Sequence, residues 1–298
     1  MKYAWIRSNR HTYAVSTMCQ VLEVSASGYH EQLKRKPTST STRLSNDALL
    51  ALIQSVHAQF KREYGWPKMW RELVNRGYRV GKERVRRLMQ LHGIRARTKR
   101  KFKVTTESKH SLPIAPNLLQ RNFWPAKPNQ VWTSDITYIW TDEGWLFVAV
   151  YLDLFNRQVV GWSIKPQMKA DLVIDALRMG WFRRSPAQGL IVHTDRGSQY
   201  CSSDFQTVLK AYGMTSSMSG KGDCWDNAPT ESFWSRLKAA RIHGNRMTTR
   251  EQARHIVLDW IAFYNAHRLH SSLGYVSPMQ YERKWEQQQA DLAKQVAS

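Results

Sequence analysis

Two acids interrupt stretches that would otherwise read as buried strands, and no other feature constrains the fold so much. Asp135 lies inside VWTSDITYIW, and Asp195 ends the apolar part of LIVHTDRGSQY. A carboxylate among apolar strand residues is costly unless something pairs it. A third acid, Glu231, opens the helical run DNAPTESFWSRLK. Taken singly, the aspartates read as strand-end turn formers and Glu231 as a first-turn acid that complements the helix dipole. Taken together with their flanks, the three read as oxygen ligands for a shared divalent cation.

The surrounding pattern supplies the frame. A strand over 131–140 is followed by a turn at Asp142–Gly144, then WLFVAVYLDLF and QVVGWSI, paired through a turn at Asn156–Arg157. A helix near 170–183, a strand GLIVHTD, a helix near 203–212 and a short strand MTSSMS come next. Such continuous apolar runs suit a mixed sheet covered on both faces. Asp226 or Asn227 is expected to cap the helix of Glu231, with Pro229 in its first turn. Seven residues apart, Glu231 and Lys238 share a face, while Phe233, Leu237 and Ala240 pack inward. Thr248-x-x-Glu251 reads as a capping box for a helix with the stripe Ala253, Ile256, Val257, Trp260, Ile261 and Tyr264. Ser277-Pro278 opens a last helix.

Charge divides the chain. Residues 1–130 hold 26 Lys and Arg against 7 Asp and Glu (net +19); residues 131–298 hold 19 against 16 (net +3), together the +22 of the whole. A polyanion-binding surface therefore belongs to the first part. Residues 14–35 read as two short helices around a turn at Glu23–Ser25, with Ser25 as N-cap of the second. That is either a helix-turn-helix or a plain helical hairpin. KRKPTSTSTR is a linker. From Ser45 to Gly93 three helices follow: one with the stripe Leu49, Leu50, Leu52, Ile53, Val56 and Phe60, one starting near Pro67, and one ending at Gly93. In the third, Val85, Leu88 and Met89 face a core, leaving Lys82, Arg84, Arg86 and Arg87 outside as a DNA-contacting or merely solvated face. The adjoining arm RARTKRKFK, with Arg95, Arg97, Lys99, Arg100 and Lys101, has no apolar face to bury and is expected to track phosphates.

Other classes fall away. No stretch nears the ~18 apolar residues of a membrane span, and no signal peptide is visible. Cys19, Cys201 and Cys224 are odd in number and lack paired spacing, which suits reduced thiols in a cytoplasmic protein. Most of the 13 Trp fall on apolar stripes and read as core.

WTSDITYI, VHTDRGSQYCS, MSGKGDCWDNAPTESFWSRLK and YNAHRLHSSLGYVSP together resemble the OrfB-type transposases of bacterial insertion sequences, over almost the whole chain. The resemblance implies a retroviral-integrase-like core, and the element order is that of a ribonuclease H-like α/β fold: a mixed five-stranded sheet with helices on both faces, preceded by small all-α helix-turn-helix-like units. The expected organisation is a helix-turn-helix-like segment (1–36), a trihelical DNA-binding domain (45–95), a basic arm and linker (96–128), the catalytic core (129–245) and a helical extension (246–298). The implied activity is metal-dependent cleavage and strand transfer at element ends. Asp135, Asp195 and Glu231 would hold two Mg²⁺ ions, with Mn²⁺ able to substitute. Lys238 and Arg196 would support DNA near them or act as structural counter-charges. Relatives often carry an acid two residues after the lysine, where this chain has Ala239 and Ala240. Arg268, His270 and Ser271 match a C-terminal motif expected to pack on the catalytic helix. Implied partners are the terminal inverted repeats, target DNA, further copies of the chain on DNA, and an upstream-frame helix-turn-helix protein by fusion or association. A nuclease of this fold without strand transfer, and an inactive DNA-binding regulator or relic, are the alternatives.

Overall fold

The computed structural model describes residues 2–34, 44–97, 113–220 and 224–297. The apolar runs form one sheet: β1 (Val131–Thr141), β2 (Gly144–Asp153), β3 (Val159–Lys165), β4 (Ile191–Thr194) and β5 (Thr215–Met218). Their order is β3-β2-β1-β4-β5. The first three strands are antiparallel neighbours, whereas β4 runs parallel to β1 and β5 parallel to β4.

Both faces are covered, as the continuous apolar runs require. On one, Trp132, Tyr151, Val160 and Val192 pack with α7 (Ala170–Arg184) and α9 (Ser203–Ala211), joined by a single turn, α8 (Ser198–Cys201). On the other, Val131, Val148 and Val150 meet Phe233 and Leu237 of α10 (Ala228–Leu237) and Val257 and Trp260 of α11 (Arg250–Ala266). Fully burying one such side chain contributes roughly 1.5–3 kcal/mol. Gly161 brings α7 down onto β3: a Cβ there would strike the Ala176 carbonyl and lie 2.7 Å from the Gly180 nitrogen.

Ahead of the sheet stand α1 (Lys2–Asn9), α2 (Val15–Val21) and α3 (Ala26–Lys34), around Ile6, Met18, Cys19 and Tyr29. Ser25 accepts from the Gly28 N–H at 3.0 Å, as expected of an N-cap. The sequence pattern gave no sign of α1, whose apolar residues lack a stripe. A trihelical unit follows: α4 (Asn46–Gln59), α5 (Trp66–Asn75) and α6 (Lys82–Leu91), packed through Leu49, Ile53, Val56, Met69, Leu73 and Val85. Its core continues into Phe263 and Leu269, and the Leu269 N–H donates to the Tyr64 hydroxyl at 3.0 Å. The unit is thus seated on the end of α11. The last helix, α12 (Pro278–Ala297), opens with Ser277 and Gln280 bonding each other's backbone N–H.

Two helix starts differ from expectation. Asn227 occupies the N-cap position of α10, but neither it nor Asp226 caps with its side chain. Asn227 Nδ2 donates instead to the Ser134 carbonyl (3.0 Å), and Asp226 accepts from the Gly220 N–H, Asn117 and Arg121. Pro229 has no N–H to satisfy, which lessens the need for a cap. At α11 the cap is Thr249, which accepts from the Gln252 N–H, while Gln252 reaches back to the Thr248 N–H. Thr248 and Glu251 therefore do not form the box; Glu251 pairs with His255.

Candidate active site

Strand register sets two of the three carboxylates side by side. β1 and β4 pair Val131 with Ile191, Trp132 with Val192 and Thr133 with His193. Carrying the same offset two residues on places Asp135 opposite Asp195, which lies just past the end of β4. Both are half-buried. One backbone N–H orients each: Ile136 donates to Asp135 Oδ1 at 2.8 Å and Gly197 to Asp195 Oδ1 at 2.9 Å.

Glu231 comes from the first turn of α10 and is exposed at the rim. Two bonds hold that turn against β1 immediately before Asp135. The hydroxyls of Thr230 and Thr133 meet at 2.7 Å, and Asn227 grips the Ser134 carbonyl. The other side of Ser134 is fixed by Tyr200, hydroxyl to hydroxyl, at 2.8 Å.

The acids feel one another. Burial first, then the charge of Asp195 and also that of Glu231, push the Asp135 carboxyl well above the usual carboxylate range. The Ile136 N–H and the Lys238 ammonium pull in the opposite direction. Among the described residues no three His, Cys, Asp or Glu side chains stand close enough to hold an ion as they are. The carboxylates of Asp195 and Glu231 nonetheless lie within electrostatic reach of Asp135.

Lys238 begins a π-helical turn (Lys238–Ile242) at the end of α10. Its ammonium sits 5.1 Å from the Tyr138 ring centre. Burial lowers its pKa while Asp135 raises it. Arg196 is half-buried and donates from Nε to the Ser219 carbonyl at 2.8 Å, a tie between β4 and β5.

The remaining basic residues are spread more widely. Lys82, Arg86 and Arg87 are exposed on α6, with Arg86 paired to Glu83. Arg84 turns inward, donating to Asn46 and the Leu44 carbonyl. Arg95 is exposed, while Arg97 donates to the Ala240 carbonyl at 2.6 Å, so the start of the arm rests on the π-turn. Lys99, Arg100 and Lys101 lie outside the described residues.

The family follows from sequence similarity. Residues 125–224 and 212–278 match two family models each described as an integrase core domain, and residues 45–102 match one described as an HTH-like domain. Transposase InsF for insertion sequence IS3A of Escherichia coli (strain K12) is 40% identical over 285 residues, covering 95% of this chain and 99% of that one. The chain belongs to the insertion-sequence transposases of this IS3 type. A further relative of the transposase is an insertion element IS600 31 kDa protein of Shigella sonnei, 41% identical over 92% of this chain and all of that one. Among solved structures, a simian T-cell lymphotropic virus intasome chain matches 77% of the transposase and 74% of its own length, at 14% identity and a TM-score of 0.46. As a transposase the chain is a polynucleotidyl transferase, built on the ribonuclease H-like integrase core.

Thr133, Ser134 and Thr230, which the sequence pattern does not single out, are polar positions in otherwise well-packed segments, a mismatch that marks them as supports of the site. Asn227, expected as a cap, serves instead as a clasp on Ser134. Arg268, expected to pack on α10, lines one cavity with Ser232, Ser235 and Arg236 of that helix; it is 3% exposed and also bonds Glu63 of the trihelical unit at 2.6 Å.

Proposed function

We propose that Asp135, Asp195 and Glu231 are the catalytic carboxylates of the transposase and together hold two Mg²⁺ ions, for which Mn²⁺ can substitute. The donor set fits: three carboxylates offer only oxygen, which suits Mg²⁺ or Mn²⁺ over softer metals. The observation that supports the reading is geometric: the β1–β4 register carries Asp135 toward Asp195, and the Thr133–Thr230 and Asn227–Ser134 bonds hold the first turn of α10, with Glu231, against β1. When bound, the metal pair supplies charge stabilisation to the attacking and leaving oxygens of an in-line phosphoryl displacement.

The residues then divide the labour. No nucleophilic side chain is required; water attacks when a strand is nicked, and a DNA 3′-hydroxyl attacks when strands are joined. Asp135 and Asp195, oriented by backbone N–H groups, form the rigid floor, and Glu231 closes the set from the rim. Lys238, poised between Asp135 and Tyr138, steadies a phosphate of the bound strand. The exposed residues Lys82, Arg86, Arg87 and Arg95, with the basic arm beyond them, position DNA by its phosphates. We assign these contacts to the element's terminal repeats and target DNA in the cytoplasm. Several copies assemble on the DNA, with an upstream-frame helix-turn-helix partner. No described helix is long and apolar enough to cross a membrane. The domain divisions at 36, 45, 95, 128 and 245 belong to the same proposal, as do the roles of Arg84, Arg97 and Arg196 near DNA.

The test is Glu231→Gln. The variant should bind element ends as the parent does, yet neither nick them nor join pre-cut ends in Mg²⁺. Retained cleavage would remove Glu231 from the set, and nicking without joining by the parent chain would favour a nuclease.

A further inference from the structure

Beside the catalytic helix, where the trihelical unit meets the residues just past α11, lies a cavity of about 150 Å³. Its walls include Arg97, Arg236, Arg268, Ser232 and Ser235, with Glu63 as the one acid among the described residues that line it. Ser235 stands one turn beyond Glu231 on the same side of α10, so the cavity opens within ~6 Å along the helix of the proposed catalytic acid.

Its charge does not balance. Arg268 donates to Glu63 at 2.6 Å and Arg241 forms an ion pair with it at 2.5 Å, so two buried guanidiniums share a single carboxylate. Asp259, the other acid near Arg241, lies 3.8 Å from it and is already held by Lys61 at 2.7 Å. Arg236 and Arg97 add positive charge at the mouth, where both are exposed. Arg268 is 3% exposed, and its Nε has no hydrogen-bond partner among the described residues. A buried donor without a partner, amid excess positive charge, is costly unless an anion completes it. Lys68 feels the same field: burial, then Arg268 and Arg236, bring its pKa down to about 6. Serine hydroxyls among guanidiniums are donors suited to phosphate oxygens.

We propose that this cavity receives one backbone phosphate of the bound DNA. The proposal rests on the chain acting on DNA, but not on the metal assignment. One site would thereby gather the trihelical unit through Glu63 and Arg97, the catalytic helix through Ser232 and Arg236, and the C-terminal segment through Arg268. A phosphodiester carries one negative charge, which offsets the unmatched guanidinium.

Arg236→Gln tests it, because Arg236 is exposed and its replacement should leave the urea midpoint unchanged. Binding to duplex DNA carrying an element end is measured by fluorescence anisotropy in EDTA across a range of KCl concentrations. Loss of one phosphate contact should reduce the slope of log affinity against log salt by about one and weaken low-salt binding by about tenfold. Arg178→Gln, an exposed arginine on α7, should change neither. An unchanged slope for Arg236→Gln overturns the proposal. In a second arm, inorganic phosphate at matched ionic strength should raise the Tm of the parent chain more than that of Arg236→Gln. Equal shifts overturn the anion site. A phosphate effect without the change in salt slope overturns the DNA assignment and leaves a site for free anions. Because no divalent metal is present, a failed metal assignment leaves these outcomes unaltered.

Discussion

The hydroxyls of Thr133 and Thr230 meet at 2.7 Å, joining the strand of Asp135 to the helix of Glu231 in a place sealed from solvent. Thr230→Val keeps the shape and strands the Thr133 hydroxyl, which should lower stability by about 1–3 kcal/mol. Adding Thr133→Val removes the orphan and should restore most of that loss. If urea denaturation shows the double variant no more stable than the single one, the bond is not what holds the two elements together.

Gly197 leaves room for the Asp195 carboxylate. A Cβ there would stand 3.0 Å from Asp195 Oδ1 and 3.1 Å from Gln199 Oε1. Gly197→Ala should displace the carboxylate and slow nicking by about tenfold or more, since small misplacements of reacting groups are heavily penalised. The urea midpoint should move little. Parent-like nicking would show that Asp195 needs no such clearance.

Glu63 is 8% exposed and sits between Arg241 and Arg268. Removing one partner of a buried ion network costs about 3–5 kcal/mol, because the opposite charges remain buried. Glu63→Gln should therefore lower Tm markedly, loosening the trihelical unit from α11. A shift near zero would mean that water already reaches the guanidiniums.

Asp153 provides a pH signature away from the site. Burial outweighs the N–H groups of Asn129 and Phe155 and raises its pKa to about 6. Between its ordinary value and about 6 the folded chain holds a proton that the unfolded chain has lost. Its contribution therefore makes stability fall as pH rises through that window and level off above it. The whole change is on the order of 3 kcal/mol. Asp153→Asn should flatten the corresponding part of the urea-midpoint profile; identical profiles would refute the assignment.

What could be read from sequence was local. The β1–β4 runs showed their burial through largely apolar stretches; the acids at 135 and 195 stood out because they interrupt or end those stretches, and Glu231 because it opens a helical run. Side-chain uses spanning long separations were invisible. Asn227 looks like a cap in isolation and becomes a clasp on Ser134 only once β1 is beside it. Arg84 and Arg97 fit an outward basic pattern, yet their guanidiniums find Leu44 and Ala240. The trio Glu63, Arg241 and Arg268 has no periodicity to betray it, because each member comes from a different part of the chain.

The seating of Tyr64 against Leu269 has a consequence for how such elements diversify. A recombination event that imported a foreign DNA-reading unit would leave its underside facing an unmatched tail, with charges and aromatic rings lacking their counterparts. Exchange succeeds when both halves of the clasp travel together, so the segments around Tyr64 and Leu269 are bound to a shared inheritance.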